Sequence, residues 1–276
     1  MDVSLTDEEV LAFFQGLENS VGVHLDLSKK YLLTARLKPI FSSTEFSSVD
    51  GFIRELNRRR FSEMHDRAYA ALTTNETMFF RDPAFFELLK SSVLPHLIRV
   101  RAKEKKIRIW SAAVSSGQEV YSLAMLIRLC FPELLHWEIE IRGSDVSLPV
   151  LEKAKEGVFN ESEVKRGLPT LYMNKFFTKV DRSSYQLADS IREMVSFEKF
   201  NLIKDNFPSN RYDLIFLRNV LIYFSQENKV SVLDKSSKAL DNNHGMLFLG
   251  GAESINGHPK FQLNLDPQWT YYTKKI

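Results

Sequence analysis

The sequence predicts an α/β protein: a doubly wound, mostly parallel sheet with a small antiparallel β subdomain, preceded by an all-helical N-terminal domain. Two observations predict this fold class. Up to about residue 74, apolar residues recur at helical spacing without a strand pattern. From Ile107 onward, short β-branched or aromatic runs alternate with helical segments, which is typical of parallel strands joined by crossover helices.

The predicted N-terminal domain covers residues 1–74. Thr6 and Glu9 form a capping box, and apolar residues at helical spacing follow it from Val10 to Leu17. Further helices are predicted over residues 28–37, ending before Pro39, and over 48–57 and 62–72. A short polar stretch, 73–75, links this domain to the next.

The second predicted domain covers residues 75–276. Its expected strands are 107–110, 139–141, 213–217 and 246–249, and Ser225 caps a helix that runs to about residue 240. Residues 176–200 do not fit the alternation, and their short strands, 185–187 and 194–197, predict a β subdomain inserted at about 170–200.

Composition excludes several classes of protein. The formal net charge is +2, so no global charge favours nucleic acid. No apolar stretch approaches the roughly 20 residues that cross a bilayer, and acidic residues stand where a secretory signal needs basic ones. A single cysteine, Cys130, excludes an internal disulfide. We therefore expect a cytoplasmic protein with no membrane insertion.

The loop after the first strand is a candidate ligand site. The strand ends at Trp110 and runs through small residues, 111–117, into an apolar helix. Small residues let a ligand approach the backbone, and the helix N-terminus offers N–H groups. The loop contains one glycine, so it is neither a dinucleotide fingerprint nor a phosphate loop. A nucleoside site and a tight structural turn both stay open.

An acid follows the second strand in the stretch Gly143-Ser144-Asp145. Asp145 stands roughly where a ribose-binding carboxylate is expected. It could equally cap the helix that follows.

Five stretches occur in an order that is specific: Asn75-Glu76-Thr77-Met78-Phe79-Phe80-Arg81, the loop 110–122, Gly143-Ser144-Asp145, Asn201-Leu202 and Arg218-Asn219-Val220-Leu221-Ile222-Tyr223-Phe224. Together they resemble the chemotaxis-receptor methyltransferases of the CheR type over essentially the whole chain. The resemblance implies a Rossmann-like domain that transfers a methyl group from S-adenosyl-L-methionine, leaving S-adenosyl-L-homocysteine. The implied acceptors are glutamate side chains of methyl-accepting receptors, in bacterial chemosensory adaptation.

The resemblance also implies nine cofactor-binding residues. They are Asn75, Thr77, Arg81, Glu119, Asp145, Asn201, Leu202, Arg218 and Asn219. Asn75, Thr77 and Arg81 would reach over the cofactor. Glu119 and Asp145 would bind its polar groups, and Asp145 would bind the ribose hydroxyls. The pair 201–202 would hold adenine, and the last two would line the pocket beside the methionine part.

Some alternatives stay open, and four positions depart from the family pattern. Arg81 could instead pair with Asp82, and Asn219 could cap the next element. Ala113, Val114, Gln118 and Val120 stand where glycine, cysteine, glutamate and proline are frequent. Alanine does not favour a positive φ, which weakens a claim of close backbone approach at Ala113. None of the four removes a side chain that the chemistry requires.

The chemistry explains why the sequence contains no catalytic triad or metal motif. A glutamate with an ordinary pKa near 4.3 is already an anionic nucleophile at pH 7, so the enzyme must align it and exclude water. We expect Tyr223 beside the methyl-transfer centre and Arg81 orienting the carboxylate. The alternative for Tyr223 is a core aromatic whose hydroxyl is satisfied locally.

A receptor's acidic helical bundle would need a basic docking face. Candidates are Lys29, Lys30, Arg36 and Lys38 on one predicted helix and Arg54, Arg58, Arg59 and Arg60 on another; solvated helix faces can look the same. Some family members bind a receptor's C-terminal pentapeptide through a glycine-containing loop. The corresponding turn here, 179–185, is short and has no glycine, so we expect no pentapeptide tether.

Two rival functions stay open. One is a methyltransferase of another substrate, although the sequence has neither a base-flipping motif nor a strongly basic face. The other is a signalling module that binds S-adenosylmethionine without transferring its methyl group. The sequence does not separate this sensor from an enzyme.

Overall fold

The computed structural model describes residues 4–41, 46–59, 62–255, 257–267 and 269–275. These residues form two compact units. The first combines the described residues of 1–74 with Asn201–Asp205 and Tyr223–Ser231, and the second contains the rest. In the part of the chain described, no helix is long and apolar enough to cross a membrane.

Helices form the N-terminal part of the first unit. They are α1 (Asp7–Val21), α2 (Tyr31–Phe41), α3 (Val49–Arg58) and α4 (Glu63–Leu72). The predicted capping box starts α1: the Thr6 hydroxyl accepts from the N–H of Glu9, whose carboxylate accepts from the N–H of Thr6. The apolar face of α1, from Val10 to Leu17, is buried.

The second helix differs from its prediction. Asp26 caps a separate 3₁₀ turn, Leu27–Lys29, and α2 begins only at Tyr31. The expectation that the helix ends before Pro39 is wrong, because α2 continues to Phe41. The carbonyl that this proline leaves without an intrahelical donor belongs to Ala35, which is exposed, so water can bond to it.

The predicted basic face is therefore divided. Lys29 and Lys30 do not lie on the helix that contains Arg36 and Lys38, and Arg60 lies outside the described residues. Arg36 donates to the carbonyls of Leu72 and Thr73, at 2.9 and 2.8 Å.

Arg54 is also used within the first unit, where it pairs with Glu9 at 2.8 Å. The members of the predicted face that are exposed are Lys29, Lys38, Arg58 and Arg59. The basic surface offered to a partner is narrower than the sequence predicted.

The second unit contains the predicted α/β sheet. Its strands are β1 (Lys106–Ala112), β2 (Glu138–Asp145), β3 (Val158–Asn160), β4 (Phe177–Lys179), β5 (Ser184–Leu187), β6 (Val195–Lys199), β7 (Leu214–Leu217), β8 (Met246–Leu249), β9 (Phe261–Asn264) and β10 (Tyr271–Lys274). In the described residues the main sheet has the order β6-β2-β1-β7-β8-β10-β9. All neighbours from β6 to β8 are parallel, while β10 and β9 are antiparallel.

Helices connect and cover these strands. They are α5 (Pro83–Leu88), α6 (Leu94–Val100), α7 (Gln118–Cys130), α8 (Leu148–Glu156), α9 (Glu161–Lys165), α10 (Thr170–Phe176), α11 (Asp189–Arg192) and α12 (Gln226–Ala239), and a π-helical turn, Leu89–Val93, joins α5 to α6. Strands β7 and β8 are buried along their whole length, as expected for a sheet covered on both faces.

The small antiparallel sheet has the order β3-β5-β4. It therefore extends from 158 to 187, earlier than the predicted 170–200. The assignment of 194–197 to the insertion is wrong, because β6 pairs in parallel with β2 at the edge of the main sheet. The physical reason is packing: the Phe197 ring lies against Gly143 and 5.6 Å from the Tyr121 ring.

Candidate functional site

The candidate site lies at the carboxyl edge of the main sheet, where the strand order reverses. β1 pairs with β2 on one side and with β7 on the other. The loops that leave β1 and β7 therefore diverge, and the crevice between such loops is where open α/β sheets bind ligands. Residues 111–117 follow β1, and residues 218–222 follow β7.

The loop after β1 is held in a left-handed conformation at several points. Ala113, Ser115 and Gly117 have φ of 66°, 54° and 91°. The N–H of Val114 donates to the carbonyl of Ser144 at 2.8 Å, which fastens the loop to the end of β2. Ala113 adopts this positive φ although alanine disfavours it, because the contacts of the loop hold the backbone there.

Asp145 ends β2 and fastens two backbone segments. One carboxylate oxygen accepts from the N–H of Ser115 at 2.9 Å, and the other accepts from the N–H of Ser147 at 3.0 Å. The side chain thus joins the loop after β1 to the start of α8, whose N-cap residue is Ser147. Burial raises the pKa of Asp145, and the backbone hydrogen bonds oppose that rise. A carboxylate offers about four lone-pair positions, so acceptor capacity is left for a ligand.

Arg218, which follows β7, is the centre of a buried ionic network. Its side chain is 1% exposed, and it pairs with Glu119 at 2.5 Å and with Asp82 at 2.7 Å. It also donates to the carbonyl of Arg81 at 3.0 Å, and its guanidinium carbon lies 4.0 Å from the centre of the Phe85 ring. One cation therefore joins the loop after β7, the start of α7 and the segment before α5.

Glu119 uses both carboxylate oxygens. The second oxygen accepts from the hydroxyl of Ser111, at the end of β1, at 2.9 Å. Glu119 is partly exposed, so a ligand can still approach this carboxylate.

The segment 75–82 runs beside the loop after β1. The carbonyl of Asn75 accepts from the Ser115 hydroxyl at 2.8 Å, and Thr77 is partly buried. Arg81 donates to the carbonyl of Glu76 at 3.2 Å, whereas Asp82 pairs with Arg218. The ion pair considered between Arg81 and Asp82 is therefore not the pairing that the structure forms.

Glu253, beyond β8, is a residue of the site that sequence reasoning missed. Its carboxylate accepts from the backbone N–H groups of Asn219 at 2.7 Å, Gly250 at 2.8 Å and Ile222 at 3.2 Å. It thereby holds Asn219 at a φ of 58°. A Cβ on Gly250 would lie 2.4 Å from the side-chain nitrogen of Asn219 and 2.8 Å from the Glu253 carboxylate, so a larger residue would push both side chains aside. The sequence signal that could have indicated Glu253 is its place two residues after the glycine pair that follows β8.

Asn201, Leu202 and Tyr223 belong to the first unit. Leu202 is buried, whereas Asn201 and Tyr223 are partly exposed. Tyr223 ends a 3₁₀ turn, Leu221–Tyr223. Its partial exposure argues against the core-aromatic alternative.

The groups at the strand tips fit a nucleoside cofactor. Asp145 keeps acceptor capacity of the kind that suits sugar hydroxyls, and the loop after β1 has mainly small side chains. Among the described residues, no cluster of three or more His, Cys, Asp or Glu side chains could hold a metal ion.

Comparison with known proteins gives consistent results. Residues 75–270 match the family model described as CheR methyltransferase, SAM binding domain. A chemotaxis protein methyltransferase of Vibrio parahaemolyticus is 36% identical, and the match covers 92% of each chain. Chemotaxis protein methyltransferase 1 of Pseudomonas aeruginosa is 34% identical, with 94% of each chain covered. A chemotaxis protein methyltransferase of Borreliella burgdorferi is 29% identical, with 95% of this chain and 93% of that protein covered.

Asp145→Asn separates a ligand-binding role from a structural one. The raised pKa means that ionised Asp145 lowers the free energy of unfolding, and that this loss develops as pH rises through the folded-state pKa. Asparagine relieves this cost, but its amide nitrogen cannot accept the N–H that one carboxylate oxygen accepts. Urea unfolding should therefore show a loss of about 1–3 kcal/mol, and the loss should be larger at pH 4 than at pH 7, where ionisation of Asp145 weakens the wild type. Affinity for S-adenosylhomocysteine, measured by calorimetry, should fall about tenfold or more, since a hydrogen bond to a charged group contributes roughly 1.5–3 kcal/mol.

Glu133→Gln, at an exposed position, is the matched control and should change neither quantity. Wild-type affinity in Asp145→Asn would leave Asp145 with the structural role alone.

Proposed function

The chain belongs to the CheR family of S-adenosylmethionine-dependent methyltransferases, and from that premise we propose that it esterifies glutamate side chains on the cytoplasmic helical bundle of methyl-accepting chemotaxis receptors. The observation that carries the proposal is the network around Arg218. It joins three of the segments on which the family resemblance rests, and all of them lie within the residues that the family model matches.

The chain's own residues have a limited task in this reaction. When bound, S-adenosylmethionine supplies an electrophilic methyl group on a sulfonium, and its transfer leaves S-adenosylhomocysteine. The acceptor glutamate is ionised at pH 7, so no residue has to remove a proton. Asp145 would bind the ribose hydroxyls, and the loops after β1 and β7 would exclude water from the methyl group.

Two residues are proposed to act on the acceptor. Arg81 lies on the segment before α5, and its guanidinium, which bonds only to the exposed carbonyl of Glu76 among the hydrogen bonds described, can turn toward an incoming carboxylate. Tyr223 follows the loop that Glu253 holds, and its partial exposure suits a place beside the acceptor.

The direct test is transfer of labelled methyl groups to purified receptor cytoplasmic domains. The expected result is label that mild alkali releases and that disappears when the acceptor glutamates are replaced by alanine.

Tyr223→Phe should lower kcat about tenfold or more, which corresponds to roughly 1.4 kcal/mol of transition-state stabilisation, with an unchanged KM for S-adenosylmethionine. Tyr271→Phe, on β10, is the control.

Other outcomes would contradict the proposal. Alkali-stable label on a different target would support the rival methyltransferase, and tight cofactor binding without transfer would support the sensor. Full turnover by Tyr223→Phe would remove this tyrosine from the mechanism.

Receptor docking is proposed to use the exposed cations of the first unit. Lys29 and Lys38 are both exposed, and Tyr31, 65% exposed, lies between them in sequence. Arg36 and Arg54 are excluded from this role because they hold the helices of their own unit together. An acidic receptor helix has the complementary charge.

We also propose that docking involves no pentapeptide tether. The turn after β4 is closed by Asp181, whose carboxylate accepts from the N–H groups of Ser183 and Ser184 at 2.7 and 2.8 Å. The N–H of Val180 is used by the carbonyl of Ser184 at 3.0 Å. The backbone of this turn is thus engaged within itself.

Lys29→Glu combined with Lys38→Glu should raise the KM for receptor roughly 5- to 30-fold at low salt, since each reversal removes one attraction and adds one repulsion, and each of these four terms is about 0.25–0.5 kcal/mol, at the lower end for exposed pairs. The difference should shrink at high salt as charges are screened, and the KM for S-adenosylmethionine should not change. Lys103→Glu, an exposed change in the second unit, is the control.

In the same assay, a peptide with a receptor's C-terminal five residues should neither bind nor compete. An unchanged receptor KM in the double variant would exclude this docking surface, and micromolar binding of the peptide would show a tether.

A further inference from the structure

The end of α1 contacts two distant segments of the first unit. Residues Ser20–His24, here called the α1 exit turn, lie next to Asn201–Asp205 and to Tyr223–Ser225. The family resemblance assigns the first segment to adenine and places Tyr223 at the methyl-transfer centre. The exit turn itself belongs to none of the motifs found in the sequence.

The first contact fixes Asn201. Its amide nitrogen donates to the carbonyl of Ser20 at 2.7 Å, and its amide oxygen accepts from the N–H groups of Ile203 and Lys204 at 2.9 and 3.1 Å. Its own N–H donates to the carboxylate of Asp205 at 2.7 Å. Both polar groups of the Asn201 side chain thus bond to the backbone and fix the conformation of the loop. Contact with adenine would then come from the backbone of this segment and from Leu202.

The second contact fixes the chain at Tyr223. The N–H of His24 donates to the carbonyl of Tyr223 at 2.8 Å, and Val23 forms an antiparallel bridge with Phe224. Glu18, one turn earlier in α1, hydrogen-bonds to the ring of His24 at 2.7 Å and to the side chain of Ser225.

Gly22 lies between the two segments. It ends α1 at a φ of 86°, and its N–H donates to the carbonyl of Glu18 at 2.8 Å. A Cβ at this position would lie 2.8 Å from both Cγ1 and Cδ1 of Ile203 and 3.1 Å from the ring of Phe224. Any larger residue must therefore shift the Ile203 side chain and crowd the Phe224 ring, and it strains the backbone as well.

We propose that the α1 exit turn is a positioning element that fixes the positions of the adenine-binding segment, Asn201–Leu202, and of Tyr223. The helices of the first unit then act in cofactor binding as well as in receptor docking. The inference rests on the proposed function. It differs from the docking role because Ser20, Gly22 and His24 act through Asn201 and Tyr223 and need not touch the receptor.

Gly22→Ala in the full-length chain is the test. Affinity for S-adenosylhomocysteine, measured by calorimetry, should fall tenfold or more, and kcat should fall as well, while the KM for receptor stays within twofold. Gly16→Ala is the control on the same helix. Its Cβ would lie 2.4 Å from the Tyr69 hydroxyl, so the substitution disturbs the packing of α1 against α4 but not the α1 exit turn. It should lower Tm and leave both cofactor affinity and kcat unchanged.

A second change shows whether the effect passes through the contact. Ile203→Ala removes the atoms that the new Cβ would meet, so Gly22→Ala should cost less affinity in that background than in the wild type. If Gly22→Ala does not fold, Gly22→Asn takes its place, because asparagine tolerates the left-handed conformation and still meets Ile203.

The outcomes separate the two proposals. A wild-type protein that does not bind S-adenosylhomocysteine would refute the proposed function itself. A folded Gly22 variant with wild-type cofactor affinity and kcat, or equal losses from Gly16→Ala and Gly22→Ala, would overturn the positioning role alone.

Discussion

The candidate site depends on one buried cation. Arg218 is held between Glu119 and Asp82 and covered by the ring of Phe85. Removing three charges from water is costly, and such a network adds little net stability compared with apolar side chains of the same volume. Its effect is positional: each carboxylate must meet the guanidinium, so the loop after β7, the start of α7 and the segment before α5 have one arrangement relative to each other.

The neighbouring loops are held by the same kind of device, a carboxylate that accepts backbone N–H groups. Asp145 joins the ends of β1 and β2, and Glu253 joins the ends of β7 and β8. These bonds hold Ser115 and Asn219 in left-handed conformations that cost of order 1–3 kcal/mol each. A reaction that needs alignment rather than a general base gains from such rigid loops, because misplacement of the reacting atoms is its main source of lost rate.

Local sequence patterns predicted much of the fold. The runs at Ile107 and Ile139 are interior strands of the main sheet, and such strands favour β-branched and aromatic residues whichever strands they pair with. Strand β6 was misassigned because its partner, β2, is about 50 residues away in sequence. The end of the second helix was missed because a proline in the last turn loses its hydrogen bond to an exposed carbonyl at little cost.

Candidate site residues could be predicted from the sequence where they belong to a motif. They could not be predicted where only a contact in the folded chain shows their role. The family resemblance assigned Arg218 and Asp145 to the carboxyl ends of the strands, and the structure has both residues there. The sequence could not indicate that Glu253 holds the loop after β7. It also could not indicate that Arg36 is used within its own unit, because a basic helix face looks the same whether it meets solvent or a carbonyl. The roles of these residues toward cofactor and receptor stay predictions.

The affinity of Arg218→Lys for S-adenosylhomocysteine tests most directly whether the buried guanidinium arranges the cofactor site. Lysine keeps the charge but lacks the planar fork that meets Glu119 and Asp82 together. Once circular dichroism has verified that the variant folds, its affinity in a calorimetric titration should be lower than that of the wild type by tenfold or more. A folded Arg218→Lys protein that binds with wild-type affinity would contradict the claim that this buried guanidinium arranges the cofactor site.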